Sequence, residues 1–445
     1  MRVSVIGSGY VGLVTAACLA EKGHTATCVD VDAEKVAKIN RAEPPIYEKG
    51  LPELLARHVP SKLTATTDLP GAVLNSELTL IAVGTPFDGQ RIDLTAIRDA
   101  ACRVGQALRA KDSYHVVAVK STVVPGTTDD VVLTALEAGS GKQAGPDFGV
   151  AMNPEFLTEG EAIADFMAPD RIVIGGIDGH SIAVLDQLYA DFSGVEVIRT
   201  NTRTAEMIKY ASNALLATSI SFANEFANLC SALGGIDAAD VMHAVHRSKY
   251  LCVPGTNGSR TEAPLSRFLE AGCGFGGSCL PKDVSALIAH AEQAGSPMPL
   301  LQAVIRTNQQ QPERLLSLLK RHFHSLLDLR VAVLGLAFKP DTSDIRQSPA
   351  LTVIRRLVED GARVKAYDPV ANHEAKQALD GVPVEYCDEL GDALTGVDAV
   401  LLITRWEQFR RLPELIGRMT APPLVVDGRR MLNKRELSSY AGIGL

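Results

Sequence analysis

The chain has 445 residues, 46% of them hydrophobic, with a formal net charge of −8. That length is too great for one ordinary core and predicts two or three domains. The acidic balance, with no compensating Lys/Arg-rich block, argues against a nucleic-acid partner and for a small ligand. Its eight cysteines form no C-x-x-C pair and no zinc-type grouping with His; reduced cytoplasmic thiols and no metal are expected. No apolar run reaches the roughly 18 residues a membrane span needs, and the first residues enter a strand, so neither a membrane partner nor a signal sequence is expected.

Arg2-Val-Ser-Val-Ile reads as a short strand running into Gly7-Ser-Gly9-Tyr10-Val11-Gly12, a G-x-G-x-x-G loop, and then into a helix through Leu13, Ala17 and Leu19. A second strand from Thr25 to Val29 ends at Asp30, 18 residues past Gly12. Gly7 and Gly9 suit a tight turn and close approach to a pyrophosphate. Gly12 suits close helix–strand packing, and the helix N-terminus attracts phosphates. An acid at Asp30 takes ribose hydroxyls and repels a 2′-phosphate, so NAD is expected rather than NADP.

Apolar runs at 78–86, 116–122 and 149–155 alternate with helical stretches and signal a doubly wound parallel sheet with ligands at the strand C-termini. Thr85, Thr122 and Glu155 stand there. Glu155 and Glu159 read as i, i+4 carboxylates on one short helix, which repel unless something cationic or protic lies between them. From about 204 to 233 a long pattern, apolar nearly all round, predicts a helix buried between domains or against another subunit. Lys209 and Asn213 share one face of it.

The run G-C-G-F-G-G-S-C-L-P-K-D at 272–283 places Cys279 where a glycine-rich loop meets a helix. Pro281 suits the first turn, and Val284, Leu287 and Ile288 recur at helical spacing. A thiol at a helix start, with Lys282 nearby, ionises more readily than a free one. The last third repeats the opening: Arg330-Val-Ala-Val-Leu-Gly echoes residues 2–7, and a strand ending at Asp368 echoes the one ending at Asp30. This second copy lacks the later glycines and carries Lys339, a point charge suited to the phosphate of a different nucleotide. The fold class is therefore α/β, with two Rossmann-like doubly wound domains joined by a long central helix and a helical middle segment. The boundaries are 1–200 for the NAD-binding domain, 201–300 for the helical, dimerising part and 301–445 for a second nucleotide-binding domain. The cleft between the two α/β domains is the expected place for Lys209, Asn213, the glutamates and Cys279. Taken singly, each residue keeps a bland alternative: a buried thiol for Cys279, helix caps for Thr85 and Thr122, a solvated face for the glutamates, a snorkelling lysine at 209.

Taken together, G-S-G-Y-V-G, V-G-T-P, K-S-T-V-V-P-G-T, N-P-E-F-L-T-E-G, P-D-R-I-V-I-G, A-E-M-I-K-Y-A-S-N, G-F-G-G-S-C-L-P-K-D, F-K-P-D-T-S-D-I-R and V-D-G-R-R resemble the nucleotide-sugar 6-dehydrogenases over essentially the whole chain. The resemblance implies a four-electron oxidation of a sugar C6 alcohol to a carboxylate using two NAD+, through a thiohemiacetal and thioester on Cys279. It implies oxyanion stabilisation by Lys209 and Asn213, Glu155 as the base activating the hydrolytic water, and Asp283 orienting water or Lys209. It also puts Glu159 and Thr122 at the nicotinamide, Lys35 at the adenosine, and Arg346 and Lys282 on the cofactor. The implied substrate contacts are Phe156, Leu157, Phe268, Leu269, Phe275, Gly276, Lys339 and Arg429. Two departures stand out: the segment 253–267 is lengthened, leaving Arg260 and Arg267 as alternative substrate arginines, and Glu270 occupies a position where the family often has Lys, Arg or Asn.

Two motifs resemble the UDP-glucose enzymes and two the GDP-mannose ones; UDP-glucose is the substrate expected here, with GDP-mannose or another nucleotide hexose as the alternative. A two-electron β-hydroxyacid dehydrogenase would need neither Cys279 nor the last domain. A non-catalytic NAD-binding scaffold would be better served by apolar residues than by Lys209, Asn213 and paired glutamates. A homodimer or larger homo-oligomer is expected from the long helix.

Overall fold

The computed structural model describes residues 1–255 and 259–445, which form two compact units, Met1–Ser212 and Asn213–Leu445.

The first unit is built on strands β1 (Arg2–Ile6), β2 (Thr25–Val29), β3 (Leu63–Thr66), β4 (Leu78–Ile81), β5 (Val116–Val119), β6 (Gly149–Met152), β7 (Arg171–Gly176) and β8 (Glu196–Thr200). They form one sheet in the order β3-β2-β1-β4-β5-β6-β7-β8. Every neighbouring pair is parallel except β6 and β7. Strand side chains alternate between faces, so a sheet covered on both sides needs uninterrupted apolar runs. In β5, Val116 and Ala118 enter one core, with Val3, Leu13 and Leu80, while Val117 and Val119 enter the other, with Ile81, Ile97 and Val150. The strand order reverses between β1 and β4, which opens the crevice where ligands of such sheets bind.

The second unit contains a short hairpin, β9 (Cys252–Pro254) and β10 (Arg260–Glu262), and a six-stranded sheet. Its strands are β11 (Arg330–Leu334), β12 (Arg363–Tyr367), β13 (Val384–Tyr386), β14 (Ala399–Leu402), β15 (Leu424–Asp427) and β16 (Tyr440–Gly442), all parallel, in the order β13-β12-β11-β14-β15-β16. The echo between the two ends of the chain is thus a repeated topology, with the same division of alternate residues between two cores.

The long helix runs Thr202–Leu233. Met207, Leu215, Phe222, Phe226, Leu229 and Leu233 along it are exposed in the single chain, where the sequence predicts burial between domains or against another subunit. Their spacing, mostly three or four residues, puts them in one stripe.

Candidate active site

The glycine-rich loop uses its three glycines differently. Gly7 has φ +96°, and a Cβ there would stand 2.7 Å from the Ala82 carbonyl oxygen; one on Gly12 would stand 1.9 Å from the Gly7 carbonyl oxygen. A Cβ on Gly9 would meet nothing within 4 Å, so the backbone before the helix Tyr10–Glu21 is open to a ligand. Asp30 accepts from Ser8 N (2.9 Å) and Ser8 Oγ (2.6 Å) through one oxygen and from Asp32 N (3.0 Å) through the other. Burial pushes its carboxyl up, but these hydrogen bonds and nearby Lys35 outweigh it and hold it below the ordinary value. An open backbone, a helix N-terminus and an oriented carboxylate fit a dinucleotide with free ribose hydroxyls.

Tyr10 turns its hydroxyl inward. It donates to Glu48 and accepts from Gly160 N at 2.9 Å, while Glu48, only 3% exposed, also takes Gly160 N (2.7 Å) and Ala162 N (2.9 Å). The cofactor loop is thereby tied to the segment carrying the glutamates. No local pattern in the sequence marks Glu48 for this. Val11 is half-buried beside the first core.

Thr85 Oγ1 donates to the Thr122 carbonyl at 2.7 Å, joining the ends of β4 and β5. The expected short helix bearing both Glu155 and Glu159 is not formed: residues 153–158 are irregular, and Glu159 lies in a turn before the helix Ala162–Met167. Pro154 supplies no N–H there, and the Glu155 carboxylate instead takes Leu157 N at 2.6 Å. A cationic partner for Glu155 is present nonetheless. Lys209 Nζ stands 3.0 Å from Glu155 Oε1, with both side chains about 5% exposed, and 5.5 Å from the Phe156 ring centre. Phe156 also carries the Arg171 guanidinium at 4.0 Å, and Leu157 packs at the edge of the first core. Lys120, for which the K-S-T motif carries no local signal, is buried nearby. Burial, aided by Lys209 and opposed by Glu155, pulls its ammonium down to about 8.

In the second unit Cys279 is the N-cap of the helix Leu280–Gln293, with Pro281 in the first turn, as its sequence context predicts. Its carbonyl accepts from Asp283 N at 2.8 Å. Asp283 is 1% exposed: Oδ2 accepts from Asn213 Nδ2 at 2.6 Å, and Oδ1 has the Lys282 ammonium at 2.7 Å, outside hydrogen-bond geometry. The loop before the thiol is pinned on several sides. Gly272 N reaches Asn224 (2.7 Å), Cys273 N the Gly428 carbonyl (3.0 Å), and Gly277 N the Arg346 carbonyl (2.8 Å). Phe275 exchanges two bonds with the Asn308 amide (2.7 and 2.9 Å). A Cβ on Gly276 would stand 2.4 Å from the Gln347 carbonyl oxygen. The Arg429 guanidinium donates to the Gly274 (3.1 Å) and Ile403 (2.5 Å) carbonyls, so it braces this loop. By contrast, burial pushes the Cys18 and Cys28 thiols up to about 12, and these two with Cys102, Cys230, Cys252, Cys273 and Cys387 are free thiols without such a helix-start position.

Glu270 pairs with Arg405, whose Nε also donates to the Arg429 carbonyl at 3.0 Å, so the acid at this unusual position serves a local ion pair. Arg346 forks onto Asp344 (2.9 and 2.7 Å). Arg260 and Arg267 are exposed; of the lengthened segment, residues 256–258 lie outside the described residues. Phe268 is half-buried, and the Leu269 carbonyl lies 3.1 Å from His246 Nε2. Lys339 follows β11 in the loop whose N–H groups at Leu336 and Ala337 bond Asp368 (2.7 and 3.0 Å). Asp368 further accepts from Val370 N, Ala371 N and Trp406 Nε1, and at 2% exposure it is a brace of its loop, where Asp30 is only half-buried.

Three family descriptions match in succession: the UDP-glucose/GDP-mannose dehydrogenase family NAD binding domain over residues 1–193, central domain over 203–310, and UDP binding domain over 332–434. UDP-glucose 6-dehydrogenase AglM of Haloferax volcanii is 43% identical, covering 100% of both chains. A GDP-mannose 6-dehydrogenase of Azotobacter vinelandii is 40% identical over 86% of this chain and 84% of its own. The solved structure of a UDP-glucose dehydrogenase from Pyrobaculum islandicum superposes with a TM-score of 0.90 at 39% identity, covering 99% of this chain and 97% of that one.

Proposed function

Because the chain belongs to the UDP-glucose/GDP-mannose dehydrogenase family, we propose that it oxidises the C6 alcohol of UDP-glucose to the carboxylate of UDP-glucuronate, using two NAD+ per sugar. The observation that carries this reading is Cys279 at a helix N-cap, one turn before a buried Asp283 bonded to Asn213. The backbone at Gly9, with Asp30, Lys35 and the ends of β4 and β5 at Thr85 and Thr122, would hold NAD+, which would supply the two-electron oxidant for each of the two oxidation steps. The Cys279 thiolate adds to the C6 aldehyde, and the new C–S bond retains the reactive intermediate on the protein. Lys209 and Asn213 stabilise the oxyanion of that adduct. After the second oxidation the adduct is a thioester. Glu155 takes a proton from water as the water attacks the carbonyl; the C–S bond breaks, Cys279 leaves as thiolate, and the acid is released.

Residues 1–200 serve as the NAD-binding domain, 201–300 as the helical, dimerising part, and 301–445 as the domain for the sugar nucleotide. There Lys339, Phe275, Gly276 and Arg429, with Phe268, Leu269 and either Arg260 or Arg267, form the substrate contacts. The exposed stripe Met207, Leu215, Phe222, Phe226, Leu229 and Leu233 supports a homodimer. Seven free thiols support a cytoplasmic setting, and no helix among the described residues is long and apolar enough to cross a membrane. The test is an assay of UDP-glucose, GDP-mannose and dTDP-glucose side by side, counting NADH per sugar. Two per UDP-glucose is expected; one per sugar, or a clear preference for GDP-mannose, refutes the corresponding part of the reading.

A further inference from the structure

Lys120 follows the last residue of β5 and is 3% exposed, so a cation is held inside the first unit. Burying an ammonium is costly unless its donors are met. Its Nζ donates to Asn153 Oδ1 at 3.0 Å and lies 3.5 Å from the Tyr189 hydroxyl, which donates to the same Asn153 oxygen at 2.6 Å. The other end of that amide, Asn153 Nδ2, reaches the Val173 carbonyl in β7 at 2.9 Å, and Asn153 N reaches the Val119 carbonyl at 2.8 Å.

These bonds lie where the sheet changes direction. β6 and β7 pair antiparallel only at Ala151↔Gly176 and Met152↔Gly175. One residue later the Asn153 side chain, in place of a ladder bond, spans the two strands. Pro154 follows with a fixed φ, and then Glu155, so the orientation of Asn153 determines where the Glu155 backbone sets out. Lys120 in turn feels the charges of Glu155 and Lys209. If only packing were needed, an apolar side chain would serve at lower cost.

We infer that Lys120, with Asn153 and Tyr189, is a clamp that positions Glu155, and so a positioning residue for thioester hydrolysis rather than for either oxidation. This rests on the role given to Glu155 above. The test uses the full chain carrying Lys120→Met, with NADH followed from the first turnover onward and the intact mass of the protein measured during turnover. The expected result is a first-turnover burst of two NADH per site as in wild type, steady-state turnover lower by roughly 10²-fold, the lower end of a general-base contribution, and an acyl adduct accumulating on Cys279. Tyr189→Phe keeps the ring against Phe192 and removes one hydroxyl, so it guards against loss of the fold; the same adduct with a smaller rate loss is expected. A burst reduced in proportion to the steady state, or no adduct in either variant, overturns the clamp. Wild type yielding one NADH per sugar would instead refute the underlying chemistry, so the two failures are distinguishable.

Discussion

Gly9→Ala and Gly12→Ala are three residues apart in the same loop and should fail in opposite ways. At Gly12 the new methyl carbon would stand 1.9 Å from the Gly7 carbonyl oxygen and 3.3 Å from the Ala82 Cβ. That oxygen is backbone and cannot step aside without opening the turn, so the cost belongs at the upper end of overpacking, about 3 kcal/mol. For a unit of this size, that corresponds to a fall of roughly 6–12 °C in Tm. At Gly9 the conformation, φ −70° and ψ −167°, is open to alanine, and the methyl meets nothing within 4 Å. A poorer N-cap and a less flexible unfolded chain nearly cancel, leaving stability within about 0.5 kcal/mol. The methyl does occupy the space that a pyrophosphate needs, and NAD affinity should fall at least about tenfold, or about 1.4 kcal/mol. Calorimetric melting and NAD titration of both variants decide the matter. Gly9→Ala binding NAD as tightly as wild type, or Gly12→Ala melting with wild type, refutes the division of labour.

Asp30→Asn should narrow the preference for NAD over NADP by about tenfold or more, since the charge that repels a 2′-phosphate is gone; an unchanged preference in paired kinetic assays contradicts the assignment. Asp368→Ala strands four backbone N–H groups and the Trp406 indole and should destabilise the second unit by at least about 3 kcal/mol with NAD affinity unchanged, as read by denaturant titration beside NAD binding. Glu206, fully buried, accepts from Gly126 N, Thr128 N and Thr128 Oγ1, yet burial outweighs these bonds and raises its carboxyl to about 7. A folded-state value above the unfolded one means the folded protein holds the proton longer. Its contribution is complete below the ordinary carboxylate range and is lost as pH rises to about 7. Melting curves from pH 4 to about 8 should therefore show wild type losing up to about 3 kcal/mol relative to Glu206→Gln; parallel curves would contradict it.

Features carried by neighbouring residues were readable from the sequence. The glycine loop, Asp30 eighteen residues on, and the N-cap position of Cys279 all follow from local chemistry, and the structure shows each in place. Where the sequence misled, a long-range contact had overridden a local pattern. Glu155 and Glu159 are spaced as on a helix, but Pro154 and the anchored Asn153 hold the backbone irregular, and Lys209 answers the charge. Asp368 copies Asp30 in its strand context, and only the folded loop shows that its oxygens are filled from within. Glu48 and the Lys120 clamp were not readable at all, because their partners lie 33 to 114 residues away and their own neighbours follow no periodic pattern. The stripe on the long helix looks like core by composition, and the structure shows it exposed.

The most direct test of the central claim is NADH and acid production by Cys279→Ala supplied with UDP-glucose and NAD. NAD binding as in wild type and no sustained formation of the sugar acid are expected, because no sulfur is present to carry the acyl group. Wild-type NADH yield and acid release from that variant would show that Cys279 is not the nucleophile.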